Sequence, residues 1–225
     1  MIEFPVKSIP LITTTCALFF AAFGNALAAE QQFSDNNCAI TIPDTWTVTT
    51  NFPSQPTLLA VYTDAAGNRR VALQVINKKP PGPLDDRFIA EFEKGYEGSS
   101  AAKVLSGKYV EVDGIKSYEL LGNLFLPGKR ISVMLLLVPG EDQYYNIQAL
   151  RFDGDASEDP ELRQVLSSFR FLHHFVPSYA PDPNSIAYRI GQLTGGLIAA
   201  ITIVAVVVYA SRSKRTPCPP SPPPN

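Results

Sequence analysis

The chain has 225 residues, of which 45% are hydrophobic, 18% are charged and 10% are aromatic. This composition excludes a mainly disordered chain, and the length favours one or two domains. The formal net charge of −2 gives no indication of nucleic-acid binding, so we expect no nucleic-acid partner.

Residues 1–28 are predicted to be a secretory signal peptide. Lys7 precedes an apolar stretch over residues 9–23, and Ala26-Leu27-Ala28 fits the small-x-small pattern of a cleavage site. The mature chain would then begin at Ala29, and an uncleaved anchor is the alternative. Residues 29–172 are predicted to form one exported domain, which carries 14 basic and 19 acidic side chains.

Short runs of β-branched, aromatic and aliphatic residues, bounded by turn residues, predict seven strands in this domain. The strands cover residues 38–42, 58–62, 71–76, 103–112, 115–124, 131–138 and 144–152. Asp113-Gly114 is the strongest hairpin signal of the chain. The run over 131–138 is apolar on both faces and predicts a central strand. Consecutive strands joined by tight turns favour an antiparallel sheet.

Two helices are predicted from apolar spacing. On the first, one face carries Phe88, Ile89, Phe92 and Tyr96, and Asp85 or Asp86 can cap its start, while Glu91, Glu93 and Glu97 form the solvated face. On the second, Asp159 is the N-cap, Pro160 is the first residue, and the apolar face carries Leu162, Val165, Leu166 and Phe169. Because strands and helices are segregated, the predicted class is α+β, an antiparallel sheet flanked by helices.

Three short motifs carry a family resemblance. They are Ile40-Thr41-Ile42-Pro43 followed by Trp46, Gly114 followed by Ser117-Tyr118, and the ending over residues 165–171. In this order they resemble the PsbP-like superfamily, which includes the extrinsic PsbP subunit of photosystem II, a yeast Ran-binding factor and periplasmic DcrB-type proteins. The resemblance implies an antiparallel sheet flanked by helices, and an accessory or binding role without catalytic residues. The added C-terminal apolar segment departs from PsbP itself.

The C-terminal part of the sequence predicts a membrane anchor. Residues 173–189 include three prolines and are predicted to be a semi-rigid stalk. Residues 190–210 are predicted to form one transmembrane helix, because twenty-one residues span about 31 Å at the helical rise. Residues 211–225 form a basic, proline-rich tail, which the positive-inside rule places in the cytoplasm. A buried core helix over 193–210 is the alternative.

Small residues recur every four positions in this segment, at Gly191, Gly195 and Ala199. Such spacing lets two helix backbones approach closely, so these three are the candidates for helix pairing, including a homodimer through the membrane helix. Chance spacing is the alternative reading, since glycine and alanine are common in such helices.

Few residues suggest chemistry. Cys38 is interpreted as a small buried residue, with a reactive thiol or an intermolecular disulfide as the alternative. The histidines, His173 and His174, are adjacent and are interpreted as the start of the linker. No P-loop, dinucleotide fingerprint or CxxC motif is present, and we expect no cofactor and no metal.

Two charged segments have a functional and a structural interpretation. The acidic run over residues 153–159 resembles the start of a calcium loop but lacks the glycine and the final acid of that loop, so a helix cap is favoured. Arg69-Arg70 and Lys78-Lys79 form either a small basic patch or solvated strand ends.

The sequence therefore predicts a single-pass protein of the bacterial inner membrane with its globular domain in the periplasm. The expected role is an accessory or scaffold module whose partners are the lipid bilayer and an envelope or membrane protein. A membrane-tethered enzyme using surface carboxylates, or a sensor signalling to the proline-rich tail, is the alternative.

Overall fold

A computed structural model describes residues 28–76, 84–98, 102–177 and 190–194. Two α-helices lie in this part of the chain, α1 (Asp86–Gly98) and α2 (Pro160–Ser167), and residues 190–194 form a further helical turn. The strands are β1 (Ala28–Phe33), β2 (Cys38–Pro43), β3 (Thr47–Thr49), β4 (Leu58–Thr63), β5 (Arg69–Ile76), β6 (Ala102–Val112), β7 (Ile115–Leu126), β8 (Lys129–Pro139), β9 (Tyr144–Arg151) and β10 (Arg170–Phe171).

The strands form two antiparallel sheets. Seven of them make the large sheet, in the order β3-β4-β5-β9-β8-β7-β6, and the small sheet has the order β1-β2-β10. Strand β8 lies between β9 and β7 and is buried from Ile131 to Pro139. The prediction of an antiparallel sheet with a doubly covered strand at 131–138 is confirmed.

Each face of the large sheet has its own apolar core. On one face α1 packs Phe88, Phe92 and Tyr96 onto residues of β7 and β8 that include Leu120, Leu124 and Leu135. On the other face β2, α2 and β10 pack onto the alternate side chains of β5, β8 and β9. Burial on both sides produces a layered α+β domain, which confirms the predicted class.

Both helix starts follow the predicted capping. The Oδ1 atom of Asp85 accepts a hydrogen bond from the backbone N–H of Phe88 at 2.7 Å. The Oδ1 atom of Asp159 accepts from the N–H groups of Glu161 and Leu162 at 3.0 and 3.1 Å, and Pro160 is the first helical residue. The apolar spacing also predicts Phe169 on the second helix, but α2 ends at Ser167.

That early end has a physical cause. The hydroxyl group of Ser168 accepts a hydrogen bond from the Thr41 N–H at 2.9 Å, which ties the chain to β2. The next residues leave the helix and form β10, beside β2. Phe169 still reaches the core, because its ring lies 5.3 Å from the ring of Tyr145.

Local sequence explains the long hairpin but not the short strands. Asp113 and Gly114 have φ angles of 48° and 80°, as a two-residue hairpin turn requires, and they join β6 to β7. The sequence patterns do not predict β1, β3 or β10. Strands β1 and β3 are largely exposed and β10 has two residues, so their periodic signal is weak.

Among the described residues, no helix is both long enough and apolar enough to cross a membrane.

The predicted signal peptide, apart from Ala28, lies outside the described residues. The same holds for residues 178–189 of the predicted stalk and for residues 195–225.

Candidate functional site

Three carboxamide side chains lie side by side at the centre of the large sheet. Asn146 and Gln148 stand on β9, and Gln74 on β5 is the register partner of Asn146. Alternate residues of a strand share a face, and Tyr144 and Leu150 of β9 belong to the core under α1. Gln74, Asn146 and Gln148 therefore point to the α1 side of the sheet, and are termed the amide row.

The amide row is fully enclosed. Asn146 and Gln148 are 0% exposed and Gln74 is 4% exposed. The Nε2 atom of Gln74 donates to the hydroxyl of Thr57 at 3.1 Å, and the Nδ2 atom of Asn146 donates to Oε1 of Gln74 at 3.0 Å. Buried amides need such partners, since a buried polar group without a hydrogen bond costs roughly 1–3 kcal/mol.

A helical turn of the same chain completes this network. The Nδ2 atom of Asn146 also donates to Oγ1 of Thr194 at 3.2 Å, and Nε2 of Gln148 donates to the backbone oxygen of Thr194 at 3.3 Å. Thr194 is 0% exposed. Residues 190–194, termed the docking turn, thus sit on the amide row.

The docking turn also meets the backbone of α1. A Cβ atom added to Gly191 would lie 2.8 Å from the Tyr96 nitrogen and 3.1 Å from the Gly95 carbonyl carbon, and would clash with the Phe92 oxygen. Only glycine permits such a close approach of two helix backbones. Ile190 is 0% exposed in the core under α1, whereas Leu193 is 48% exposed.

Two acceptors of the amide row stay unused. Oδ1 of Asn146 and Oε1 of Gln148 are buried and accept no hydrogen bond within the part of the chain that the structure describes. The row therefore has capacity for further donors. Its chemistry is that of binding, because carboxamides donate and accept hydrogen bonds but carry no charge.

The helix-pairing candidates are only partly described. Gly191 contacts α1 of its own chain, as set out above. Gly195 and Ala199 lie outside the described residues. The pairing of two membrane helices through these three positions stays a prediction.

The acidic run over 153–159 is a capping segment. Oδ1 of Asp155 accepts from the hydroxyl and N–H of Ser157, both at 2.8 Å, and these bonds lower the pKa of Asp155. Asp159, 3% exposed, caps α2 and pairs with Arg151 at 2.9 Å. Among the described residues no group of three His, Cys, Asp or Glu side chains is placed to hold a metal ion.

The basic segment is engaged where it is described. Arg69 forms ion pairs with Asp64 at 3.5 Å, with Asp159 at 3.5 Å and with Glu161. The guanidinium of Arg70 lies 5.3 Å from the centroid of the Phe152 ring. Lys78 and Lys79 lie outside the described residues.

Acidic side chains of α1 bind the neighbouring strands. The Tyr118 hydroxyl donates to Glu93 at 2.5 Å, and the Tyr109 hydroxyl donates to Asp86 at 2.8 Å. Burial, together with the bond to Asp86, raises the pKa of Tyr109 to about 12. Glu97 accepts from the Val104 N–H at 2.8 Å. The predicted solvated face thus helps to hold α1 on β6 and β7.

Cys38 and His173 occupy structural positions. Cys38 is 0% exposed on β2, and burial raises the pKa of its thiol to about 12, so it stays protonated near neutral pH. This agrees with the interpretation as a small buried residue. His173 binds through its backbone: its N–H donates to Oδ1 of Asn37 at 2.7 Å, and its oxygen accepts from Nδ2 of Asn37 at 3.0 Å.

The architecture matches a solved structure of known family. The cyanobacterial PsbP protein of Synechocystis superposes with a TM-score of 0.52 over 66% of this chain and 95% of that protein, at 14% identity. The chain has a PsbP-like fold. At this identity the similarity concerns the fold alone.

Two other solved structures are similar at lower scores. The Ran-binding protein Mog1p of Saccharomyces cerevisiae gives a TM-score of 0.46 at 12% identity, over 65% of this chain and 96% of that protein. LpqN of Mycobacterium tuberculosis, described as involved in cell envelope biogenesis, gives 0.45 at 14% identity, over 64% and 90%. The sequence itself matches no family profile and no curated protein.

Proposed function

We propose that the chain is a membrane-anchored binding module with its PsbP-like domain on the periplasmic side of a bacterial inner membrane. There it would serve as an accessory or scaffold factor for an envelope or membrane protein complex. The sequence pattern of a signal peptide, a domain, an apolar segment and a basic tail supports the location. The fold shared with the cyanobacterial PsbP protein is consistent with a non-catalytic role.

The open edge of the large sheet at strand β6 is the observation that carries the binding function. The amide row is enclosed and already holds a segment of the same chain, the docking turn. Its carboxamides are poor nucleophiles near neutral pH, so these side chains are suited to holding a segment.

We place the partner at strand β6. It lies at one edge of the large sheet, and Leu105 and Tyr109 are 54% and 38% exposed there. Edge strands present backbone N–H and C=O groups to an added strand, and exposed apolar side chains add contact area. The Lys116 ammonium lies 3.7 Å from the Tyr109 ring centroid and gives this edge a mixed apolar and charged character.

Photo-crosslinking in native membranes tests the partner. A photoreactive amino acid replaces Leu105 in one full-length variant and Val48 in a second; Val48 is 53% exposed on β3, at the opposite edge of the sheet. We expect a specific adduct of higher mass from position 105 and none from position 48. A chain that forms no adduct from either position would contradict the accessory role.

A fusion tests the anchoring separately. A reporter enzyme that is active only in the periplasm is attached after Asn225. We expect it to be inactive there, because the basic tail should stay in the cytoplasm. Activity of this fusion would overturn the proposed topology. The binding role is tested separately, by the crosslinking experiment.

A further inference from the structure

We propose that the hairpin tip between β7 and β8, residues 125–130, is a contact site for a bilayer surface that carries anionic head groups. These residues are termed the basic tip. The proposal goes beyond the proposed function, in which only the anchor meets the bilayer, and it uses no residue of the apolar C-terminal segment. It rests on the proposed function in one respect: an anchor keeps the domain near the bilayer, so a weak surface contact suffices.

The apolar part of the basic tip lies at the end of β7. Phe125 is 46% exposed there, and Leu126 is half-buried. The chain then turns over two exposed residues, Pro127 and Gly128, into β8. Exposed phenylalanine and leucine side chains are suited to the boundary between head groups and acyl chains, where their apolar surface leaves water.

The charged part of the basic tip lies directly opposite, at the start of β8. Lys129 and Arg130 are the register partners of the two apolar residues, and both are exposed. Within the part of the chain that the structure describes, neither of them forms an ion pair. Basic side chains next to an apolar surface match an anionic bilayer, because the head groups attract the charges while the boundary accepts the apolar groups.

A third cation lies close to the basic tip. The Lys129 ammonium is 4.9 Å from the centroid of the Phe152 ring, and the Arg70 guanidinium is 5.3 Å from the same centroid. One aromatic ring at the end of β9 thus brings together cations from β5 and β8. This adds positive charge at the end of the sheet where the basic tip lies.

Most acids at this end of the sheet are taken up by other arginines. Asp64 pairs with Arg69 at 3.5 Å, and Asp153 pairs with Arg151 at 3.1 Å. Asp155 offsets the charge of Arg130 only in part. Because Lys129 and Arg70 add to that charge, this end keeps an excess of positive charge.

The opposite end of β8 carries the opposite charge. Strand β8 has 11 residues, so it spans about 35 Å. At its far end the turn into β9 carries Glu141 and Asp142, both exposed, and the neighbouring turn between β6 and β7 carries the exposed Asp113. An anionic surface attracts the basic tip and repels that far end, which favours contact through the basic tip.

Fluorescence quenching by lipid tests this contact. A full-length Phe125→Trp chain is reconstituted into vesicles with brominated acyl chains, of phosphatidylcholine alone or with added phosphatidylglycerol. We expect the quenched fraction at position 125 to be about twofold or more greater in the anionic vesicles. The parent chain gives the background of Trp46, which is 8% exposed. Glu141→Trp is the matched control at the far end of β8, and its quenching should stay low in both vesicles.

Charge variants test the cause of the contact. In the Phe125→Trp chain, Lys129→Gln with Arg130→Gln should lower the quenching in anionic vesicles to its value in neutral ones. The matched control is Lys108→Gln with Lys116→Gln, which removes the same charge from β6 and β7, away from the basic tip. This control should keep the difference between the two vesicles.

The possible results separate the basic tip from the anchor. Equal quenching at position 125 in neutral and anionic vesicles would overturn the contact, as would equal quenching at positions 125 and 141, or a difference that persists without Lys129 and Arg130. Flotation of the parent chain with neutral vesicles reports the anchor. A chain that floats but shows no excess quenching at 125 keeps the anchor and contradicts the basic tip. A chain that does not float, but is quenched at 125 in anionic vesicles, supports the basic tip and contradicts the anchor.

Discussion

At the scale of single residues, Asn146 lies in the middle of the amide row. Its amide nitrogen bridges Gln74 and Thr194 in a fully buried site. We expect Asn146→Ala to lower the free energy of unfolding by about 1–2 kcal/mol, because it leaves the Gln74 acceptor without a donor. Urea denaturation of the detergent-solubilised chain measures this change.

The control for that substitution is another amide. Gln164 lies exposed on α2, and Gln164→Ala should change the stability by less than about 0.5 kcal/mol. An Asn146→Ala variant as stable as the parent chain would show that the amide row contributes nothing to the folded state.

Cys38 gives a second prediction at this scale. With its pKa raised by burial from an ordinary 9.0 to about 12, the thiol of the native protein stays protonated at pH 8.5. In a chain with Cys16 and Cys218 replaced by serine, we expect no alkylation of Cys38 by iodoacetamide in the folded state and full reaction in urea. Since the folded state holds its proton more tightly, this group makes stability fall as the pH rises above 9.0. Rapid alkylation of Cys38 in the folded form of that variant would refute the buried assignment.

At the scale of elements, Asp159 joins α2 to the sheet. Its Oδ1 caps the helix and its Oδ2 pairs with Arg151. Asp159→Ala removes the cap and the ion pairs with Arg151 and Arg69, and we expect a loss of about 2–3 kcal/mol. Asp159→Asn keeps a capping oxygen and should lose about half as much. Thermal unfolding measures the loss of stability of each variant. Equal losses for the two variants would show that the cap contributes little.

The elements that could be predicted are those specified by local chemistry. The two helix starts depend on Asp85 and Asp159, and the long hairpin depends on Asp113-Gly114, all of which act on neighbours in sequence. The short strands β1 and β10 exist because β2 lies between them. The pairing of β10 with β2 joins residues more than a hundred positions apart, which no local pattern contains. Strand β1 pairs with β2 through a short connection, but its largely exposed residues give a weak strand signal.

The candidate site was harder to predict than the fold. Asn146 and Gln148 are two polar residues at alternate positions of a strand that is buried from Tyr144 to Leu150, and this pattern is visible in the sequence. It indicates a polar stripe on one face of β9. The partner of that stripe, Thr194, belongs to a segment whose apolar character predicts a membrane helix, so sequence spacing alone could not bring them together.

At the scale of the whole molecule, one helical turn follows the PsbP-like domain and packs on it. The fold positions α1 and the amide row around Gly191 and Thr194. The domain and the start of the segment therefore form one structural unit. The proposed topology places that unit on the periplasmic side of the membrane.

Labelling of intact spheroplasts with a membrane-impermeant maleimide tests this topology. One variant carries Glu141→Cys, at an exposed turn of the domain, with Cys16 and Cys218 replaced by serine; a second keeps Cys218 and replaces Cys16. Cys38 is buried, so we expect it not to react with the maleimide. We predict labelling at 141 before lysis and at 218 only after lysis. Labelling at 218 in intact spheroplasts, or protection of 141 until lysis, would contradict the account.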